Sequence, residues 1–221
     1  DVYKRQIGSW ALLEALTQLT TWRNDGVVPW DATMSVNVSP RQLEDPQFID
    51  VVHEALQRSG LPHDLLWLEV TESMMIESPD LARTTLERIR DLGVSIALDD
   101  FGTGYSSLSL LQQCPLQRIK IDQSFVNGMA ESENDRNLIR TIIGLGDSLG
   151  LDIVAEGVET FEQLRLLREL GCAKAQGFLI SHPVPADAMR STIAALERLS
   201  EWPEFKRIFG DATFATDNRR G

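Results

Sequence analysis

The stretch Val94-Ser95-Ile96-Ala97-Leu98-Asp99-Asp100-Phe101-Gly102 is the clearest strand-and-turn signal in the sequence. Val94–Leu98 is a short apolar run with the length of a buried strand, and it stops at two adjacent carboxylates and a glycine turn. Ahead of it, Leu81–Leu92 has the spacing of an amphipathic helix, entered through Ser78-Pro79 and closed by Gly93, which can take φ > 0. The same pairing recurs outward in both directions. Strands are expected at Met34–Val38, Leu65–Val70, Arg118–Ile121, Asp152–Ala155 and Ala173–Phe178. Helices are expected at Trp10–Trp22, Leu43–Arg58, Asn134–Leu149, Phe161–Leu170 and Pro185–Leu199. Thr160 and Gln163 have the spacing of a capping box, and Ser39-Pro40 opens the helix before Arg58. Strand followed by helix, repeated, implies a parallel sheet, open or closed into a barrel, with strands apolar on both faces. A complete barrel needs eight strands. Six runs are found, and the shortfall lies at the front, where the chain enters on a helix.

The polar residues fall at one end of these runs. The first leads into Asn37, the second ends at Glu69 and Glu72, and the third ends at Asp99-Asp100. The fourth carries Lys120 and Asp122, the fifth delivers Glu156 and Glu159, and the sixth carries Gln176-Gly177. In a parallel barrel these C-terminal ends converge on one mouth, where active sites form. Taken singly, Asp99-Asp100 reads as a turn, Asn37 as a helix cap and Lys120 as a surface charge. Carboxylates at successive strand ends are not explained that way, because gathered like charges need cations to neutralise them. Oxygen donors without neighbouring Cys or His indicate a hard ion, Mg²⁺ or Mn²⁺. An adjacent Asp pair can serve two ions, and two ions suit in-line displacement at phosphorus, with Lys120 adding positive charge near the phosphate. Asp100-Phe101-Gly102 spells the metal-binding triplet of protein kinases, but no other kinase motif accompanies it. Gly144-Leu145-Gly146 lies inside a helical pattern, so it is not a dinucleotide loop.

Composition sets further bounds. The 221 residues are enough for one barrel domain, and 43% hydrophobic content supports a packed core. The net charge of −12 argues against DNA or RNA polymers as partners. An anionic ligand would need metal ions or local cations. Two distant cysteines, Cys114 and Cys172, read as reduced thiols, and no apolar run approaches a membrane span. A cytoplasmic domain without direct membrane contact is therefore expected, with a tether elsewhere in the parent protein allowed.

Several stretches resemble the EAL-domain phosphodiesterases of bacterial cyclic di-GMP signalling. They are Val36-Asn37-Val38-Ser39, Leu68-Glu69-Val70-Thr71-Glu72-Ser73, the block from Leu98 through Asp99-Asp100-Phe101-Gly102-Thr103-Gly104 to Leu108, Ile119-Lys120-Ile121-Asp122, Ala155-Glu156-Gly157-Val158-Glu159-Thr160 and Gln176-Gly177-Phe178. They run in family order from about Ile7 to Ala195. The resemblance implies a modified (β/α)8 TIM-like barrel, here lacking its first strands, that hydrolyses cyclic di-GMP to linear pGpG with two Mg²⁺ or Mn²⁺ ions. It implies that Asn37, Glu69 and Asp99 ligate the first metal, and that Asp99 bridges to a second held with Asp100 and Glu156. Lys120 would position the water or stabilise the phosphate, Glu72 would pin the loop after Asp100, and Asp122, Glu159 and Gln176 would line the substrate side. Lys120, Glu156 and Glu72 thus form the expected catalytic set.

The family's own Glu-Ala-Leu segment, with its metal-binding Glu and following Arg, has no counterpart. Glu14-Ala15-Leu16 spells the letters inside the opening helix rather than on a strand. The chain as it stands is therefore expected to be impaired relative to its parent domain. Residues 1–6 read as possible foreign sequence, 7–199 as the barrel and 200–221 as a peripheral tail. A homodimer through barrel helices, an upstream sensor or GGDEF domain, and the alternative of a non-catalytic nucleotide-binding or protein-interaction module complete the expectations.

Overall fold

The computed structural model describes residues 2–104 and 108–199. Helix α1 (Val2–Asn24) leads into strand β1 (Met34–Asn37), α2 (Pro40–Leu43) and α3 (Phe48–Ser59). Then come β2 (Leu66–Thr71), α4 (Glu72–Glu77), α5 (Pro79–Asp91), β3 (Ser95–Phe101), α6 (Leu108–Gln113) and β4 (Arg118–Ile121). The remainder is α7 (Gln123–Gly128), α8 (Glu133–Leu149), β5 (Asp152–Ala155), α9 (Phe161–Glu169), β6 (Lys174–Ala175) and α10 (Met189–Leu199).

All six strands are parallel and lie side by side in chain order, β1 to β6. A doubly wound sheet reverses its strand order once and so places helices on both faces. An unreversed order with right-handed crossovers keeps every helix on one face and curls the sheet, which is the arc of a barrel.

The register corrects one expectation. The strands are not apolar on both faces. Leu66, Leu68, Val70, Ile96, Leu98, Ile119 and Ile121 face the helices and are fully or almost fully buried. Each such side chain contributes about 1.5–3 kcal/mol on burial. The alternate positions face the barrel axis: Asn37 is in register with Glu69, Asp99 with Thr71 one step further along, and Lys120 with Val154, while Glu156 follows directly on β5. Deeper along the same face, the Arg118 guanidinium lies 3.6 Å over the Trp67 ring and 3.5 Å from Asp152, which also pairs with Lys174. The main core therefore sits between sheet and helices, and the axis face mixes polar groups with the buried Trp67, Ala97 and Val154.

The helices differ from expectation where local chemistry intervenes. The span Leu43–Arg58 is two helices, because Pro46 lacks an N–H and disfavours helical geometry at Asp45. Ser39 and Gln42 form a full capping box at the start of the first. The box at Thr160 and Gln163 is also present, and Gly93 takes φ 88°. Strand β6 ends at Ala175 rather than Phe178, since the chain turns there: Ile180 N–H donates to the Gly177 carbonyl. Pro185 caps a short 3₁₀ turn, so the last helix proper begins at Met189. Helix α1 is longer than expected and packs on α3 through Leu12, Leu16 and Leu19, which are buried. Among the described residues no helix is long and apolar enough to cross a membrane. The tail expected at 200–221 lies outside the described residues.

Candidate active site

The mouth of the barrel is built by strand ends and by the short helices that follow them. Lys120 on β4 stands at its centre. Its ammonium donates to Glu69 Oε2 on β2 at 2.6 Å and lies 2.7 Å from Glu156 Oε1, just past β5. It also lies 3.0 Å from Asp99 Oδ1 on β3. Side-chain exposures of 6% for Lys120 and 8% for Glu69 make this a buried charge cluster. Burial alone would favour the neutral amine; the hydrogen bonds to Glu156 and Glu69 outweigh it and hold the Lys120 pKa above the ordinary lysine value. Glu156 moves the other way from a simple salt-bridge partner. Burial raises it, Lys120 opposes, and the charges of Asp99 and Glu69 raise it again, so its carboxyl is pushed up to about 7. One ammonium shared among several acids cannot keep all of them ionised comfortably.

Successive residues of a strand point to opposite faces, so Asp99 and Asp100 should diverge. They do not, because β3 carries a bulge here. Leu98 pairs with Ile119 and Phe101 with Ile121, which leaves one extra residue on β3. Asp100 has φ 54°, the only positive value outside glycine among the described residues. The bulge turns both carboxylates to the mouth, and oxygens of Asp99, Asp100 and Glu156 come within 4.8 Å of one another. Burial, then the charges of Asp99 and Asp122, raise the Asp100 pKa.

With divalent cations chelated, the folded chain is expected to lose stability between about pH 5 and about pH 8. Glu156 and Asp100 hold their protons in the folded form at pH values where the unfolded chain has released them, and that stabilisation fades as pH climbs through the raised values. Thermal unfolding in a chelator checks this; a higher melting temperature at the alkaline end would contradict it.

Glu72, at the start of α4, is buried and accepts hydrogen bonds from Gly102 N–H at 3.1 Å and Gly104 N–H at 3.3 Å. A Cβ at Gly104 would stand 2.8 Å from Glu72 Oε1, so glycine is what lets the loop approach the carboxylate. Glu72→Ala should free both amides and cost about 1.5–3 kcal/mol of stability, since hydrogen bonds to charged groups are worth that much. Chemical denaturation measures it, and an unchanged midpoint would deny the anchor.

A cleft of about 250 Å³ opens beside the carboxylates, lined among others by Asp100, Asp122, Glu156, Glu159 and Gln176. Asp122 also caps α7, accepting from Ser124 N–H at 2.9 Å. Gln176 is fixed through its backbone to Ala155 and Val158. Asn37 is exposed at the end of β1, in register with Glu69. Gln123, Gly157 and Phe178 also line the cleft and are not in the expected set. Phe178 belongs to a quoted motif; Gln123 has no signal beyond following Asp122.

The mouth offers a fit for a hard divalent cation. Its donors are oxygens only, three of them converge, and Asp99 Oδ1 is buried without a hydrogen-bond partner. The Lys120 ammonium, 3.0 Å away, is the cation that this oxygen faces.

Sequential parallel strands and carboxylates gathered at their C-terminal ends define a TIM-type barrel domain with an acidic mouth. The chain belongs to the EAL domain family, whose model matches residues 3–183. The bifunctional diguanylate cyclase/cyclic di-GMP phosphodiesterase MucR of Pseudomonas aeruginosa is 42% identical over 189 residues, covering 86% of this chain and 27% of that protein. The solved c-di-GMP complex of the PaMucR phosphodiesterase superposes with a TM-score of 0.81 at 42% identity, over 85% of this chain and 75% of that one. The EAL domain of Mycobacterium smegmatis DcpA gives 0.79 at 40% identity, over 85% and 84%. A manganese and cyclic di-GMP complex of Klebsiella pneumoniae BlrP1 gives 0.73 at 30% identity, over 80% and 44%. The chain thus spans less than a third of the length of curated relatives such as MucR, at 27%, and a Mycobacterium tuberculosis protein, at 30%.

Proposed function

We propose that this domain hydrolyses one phosphodiester of cyclic di-GMP to linear pGpG, using divalent cations at the barrel mouth. The observation that carries the reading is the convergence of Asp99, Asp100 and Glu156 beside a cleft, with Lys120 behind them. Membership of the EAL family, and relatives bound to c-di-GMP with manganese or calcium, support it. Asn37, Glu69 and Asp99 would hold one ion, and Asp99, Asp100 and Glu156 a second, with Mg²⁺ or Mn²⁺ the fitting metals. When bound, such ions activate water and neutralise charge on the phosphoryl oxygens.

The chain's own groups set the rest. Water adds to phosphorus, the P–O3′ bond breaks, and the leaving 3′ oxygen takes a proton, which leaves the phosphate on the 5′ side as pGpG requires. Lys120 adds positive charge behind the carboxylates of the mouth, on the side away from the cleft. Glu72 ties the loop after Asp100, so the metal-binding carboxylates and that loop order together. Asp122, Glu159 and Gln176 line the substrate side, and Phe178, half-exposed and stacked on His182, would offer an aromatic surface to a guanine base. The test is product analysis with Mn²⁺, in the chain alone and with the barrel completed by the corresponding leading segment of MucR. Linear pGpG that disappears on chelation is expected from the completed barrel; intact cyclic di-GMP in both would overturn the assignment.

A further inference from the structure

We propose that Lys120 is the internal counter-ion of the metal site, holding Glu69, Asp99 and Glu156 together and competing for them with the incoming divalent cation. The inference rests on the reading of the mouth as a cation site and adds a rule for how that site fills. The ammonium lies 2.6 Å from Glu69 Oε2, 2.7 Å from Glu156 Oε1 and 3.0 Å from Asp99 Oδ1. Two of these acids, Asp99 and Glu156, are also members of the converging oxygen set. The same carboxylates therefore serve the lysine and the metal.

The position of Lys120 argues against a role confined to the substrate. Asp100 and Glu156 line the cleft, and Lys120 is not among its lining residues. Its side chain is 6% exposed and its contacts point back into the acids. Without that charge, the buried carboxylates would face one another uncompensated, which is costly. With it, a divalent ion must share or displace an ammonium already in contact with two of its ligands. A lysine suits that exchange, since its point charge sits on a flexible stem and can withdraw.

The experiment uses the 221-residue chain and Mn²⁺, with free Mn²⁺ followed by electron paramagnetic resonance and melting followed in chelator. Lys120→Met keeps the stem and removes the charge. It should melt at a lower temperature than the unaltered chain in chelator and bind Mn²⁺ at least about tenfold more tightly, the scale of effect one neighbouring charge exerts. Lys120→Arg keeps the charge and should bind Mn²⁺ within about threefold of the unaltered chain, well short of that single-charge effect. If Lys120→Met does not fold in chelator, Mn²⁺ should restore its fold, and failure to do so overturns the proposal. A purely structural lysine would lower the melting temperature with no gain in Mn²⁺ affinity, which also overturns it. Equal Mn²⁺ affinity in the Met variant and the unaltered chain overturns this proposal alone, whereas no Mn²⁺ binding by either protein removes the cation site itself.

Discussion

Asp99→Asn is expected to abolish divalent-cation binding by this domain and to lower cyclic di-GMP hydrolysis by about three orders of magnitude. The substitution keeps the shape of the side chain and removes its charge. Asp99 is the residue on which the site turns: its buried Oδ1 lies 3.0 Å from the Lys120 ammonium, and its carboxylate converges with oxygens of Asp100 and Glu156. Metal ions typically supply several kcal/mol of charge stabilisation in such reactions. At about 1.4 kcal/mol per decade, losing about 4 kcal/mol removes about a thousandfold in rate. The fold should persist, because the strand partners of Asp99 are backbone contacts to β2 that asparagine keeps. Mn²⁺ titration and product analysis on the same preparation check both halves. Wild-type cation affinity in a folded Asp99→Asn protein would remove this residue from the site.

Gly177→Ala is expected to damage both stability and nucleotide binding. A Cβ there would stand 2.2 Å from the backbone N and O of Val158, a separation that real atoms do not tolerate. Flexible side-chain ends could yield, but here the obstacle is main chain. Val158 is held on both sides of the clash: its N–H donates to the Gln176 carbonyl at 3.0 Å, and its carbonyl accepts from Leu179 N–H at 2.9 Å. Overpacking of a well-fitted interior costs about 1–3 kcal/mol, and a backbone obstacle puts this substitution at the upper end. The segments forced apart carry Glu156, Gly157 and Glu159 on one side and Gln176 and Phe178 on the other, which are walls of the cleft. Denaturant unfolding should show the loss directly, and cyclic di-GMP binding should fall with it. An alanine variant as stable as the parent would mean that the two segments do not meet as closely as the structure places them.

The acidic mouth was legible because barrel chemistry concentrates at strand ends and the sequence puts Asn37, Glu69, Asp99, Lys120 and Glu156 at those ends. The caps at Ser39 and Thr160 were equally legible, since Gln three residues on is the whole signal. Three things were hidden. The first is the polarity of the barrel axis. Trp67, Glu69, Arg118 and Lys120 alternate with apolar neighbours, but inside runs dominated by Leu, Ile and Val the alternation passes for continuous apolar sequence. The second is the set of short helices α4, α6 and α7, each of six residues. Under two turns, a helix shows no period, and these three are placed by tertiary contacts and by caps such as Asp122. The bulge that brings Asp99 and Asp100 to the same side belongs with them. Nothing in Leu98-Asp99-Asp100-Phe101 announces an extra residue; it becomes visible only when β3 is paired with β4.

The most direct test of the account is calorimetric titration of cyclic di-GMP into the folded chain with Ca²⁺ in place of Mg²⁺, so that binding is read without turnover. Saturable binding that vanishes on chelation and in Asp99→Asn is expected. A folded, Ca²⁺-loaded chain that takes up no cyclic di-GMP would contradict the cation-dependent nucleotide site.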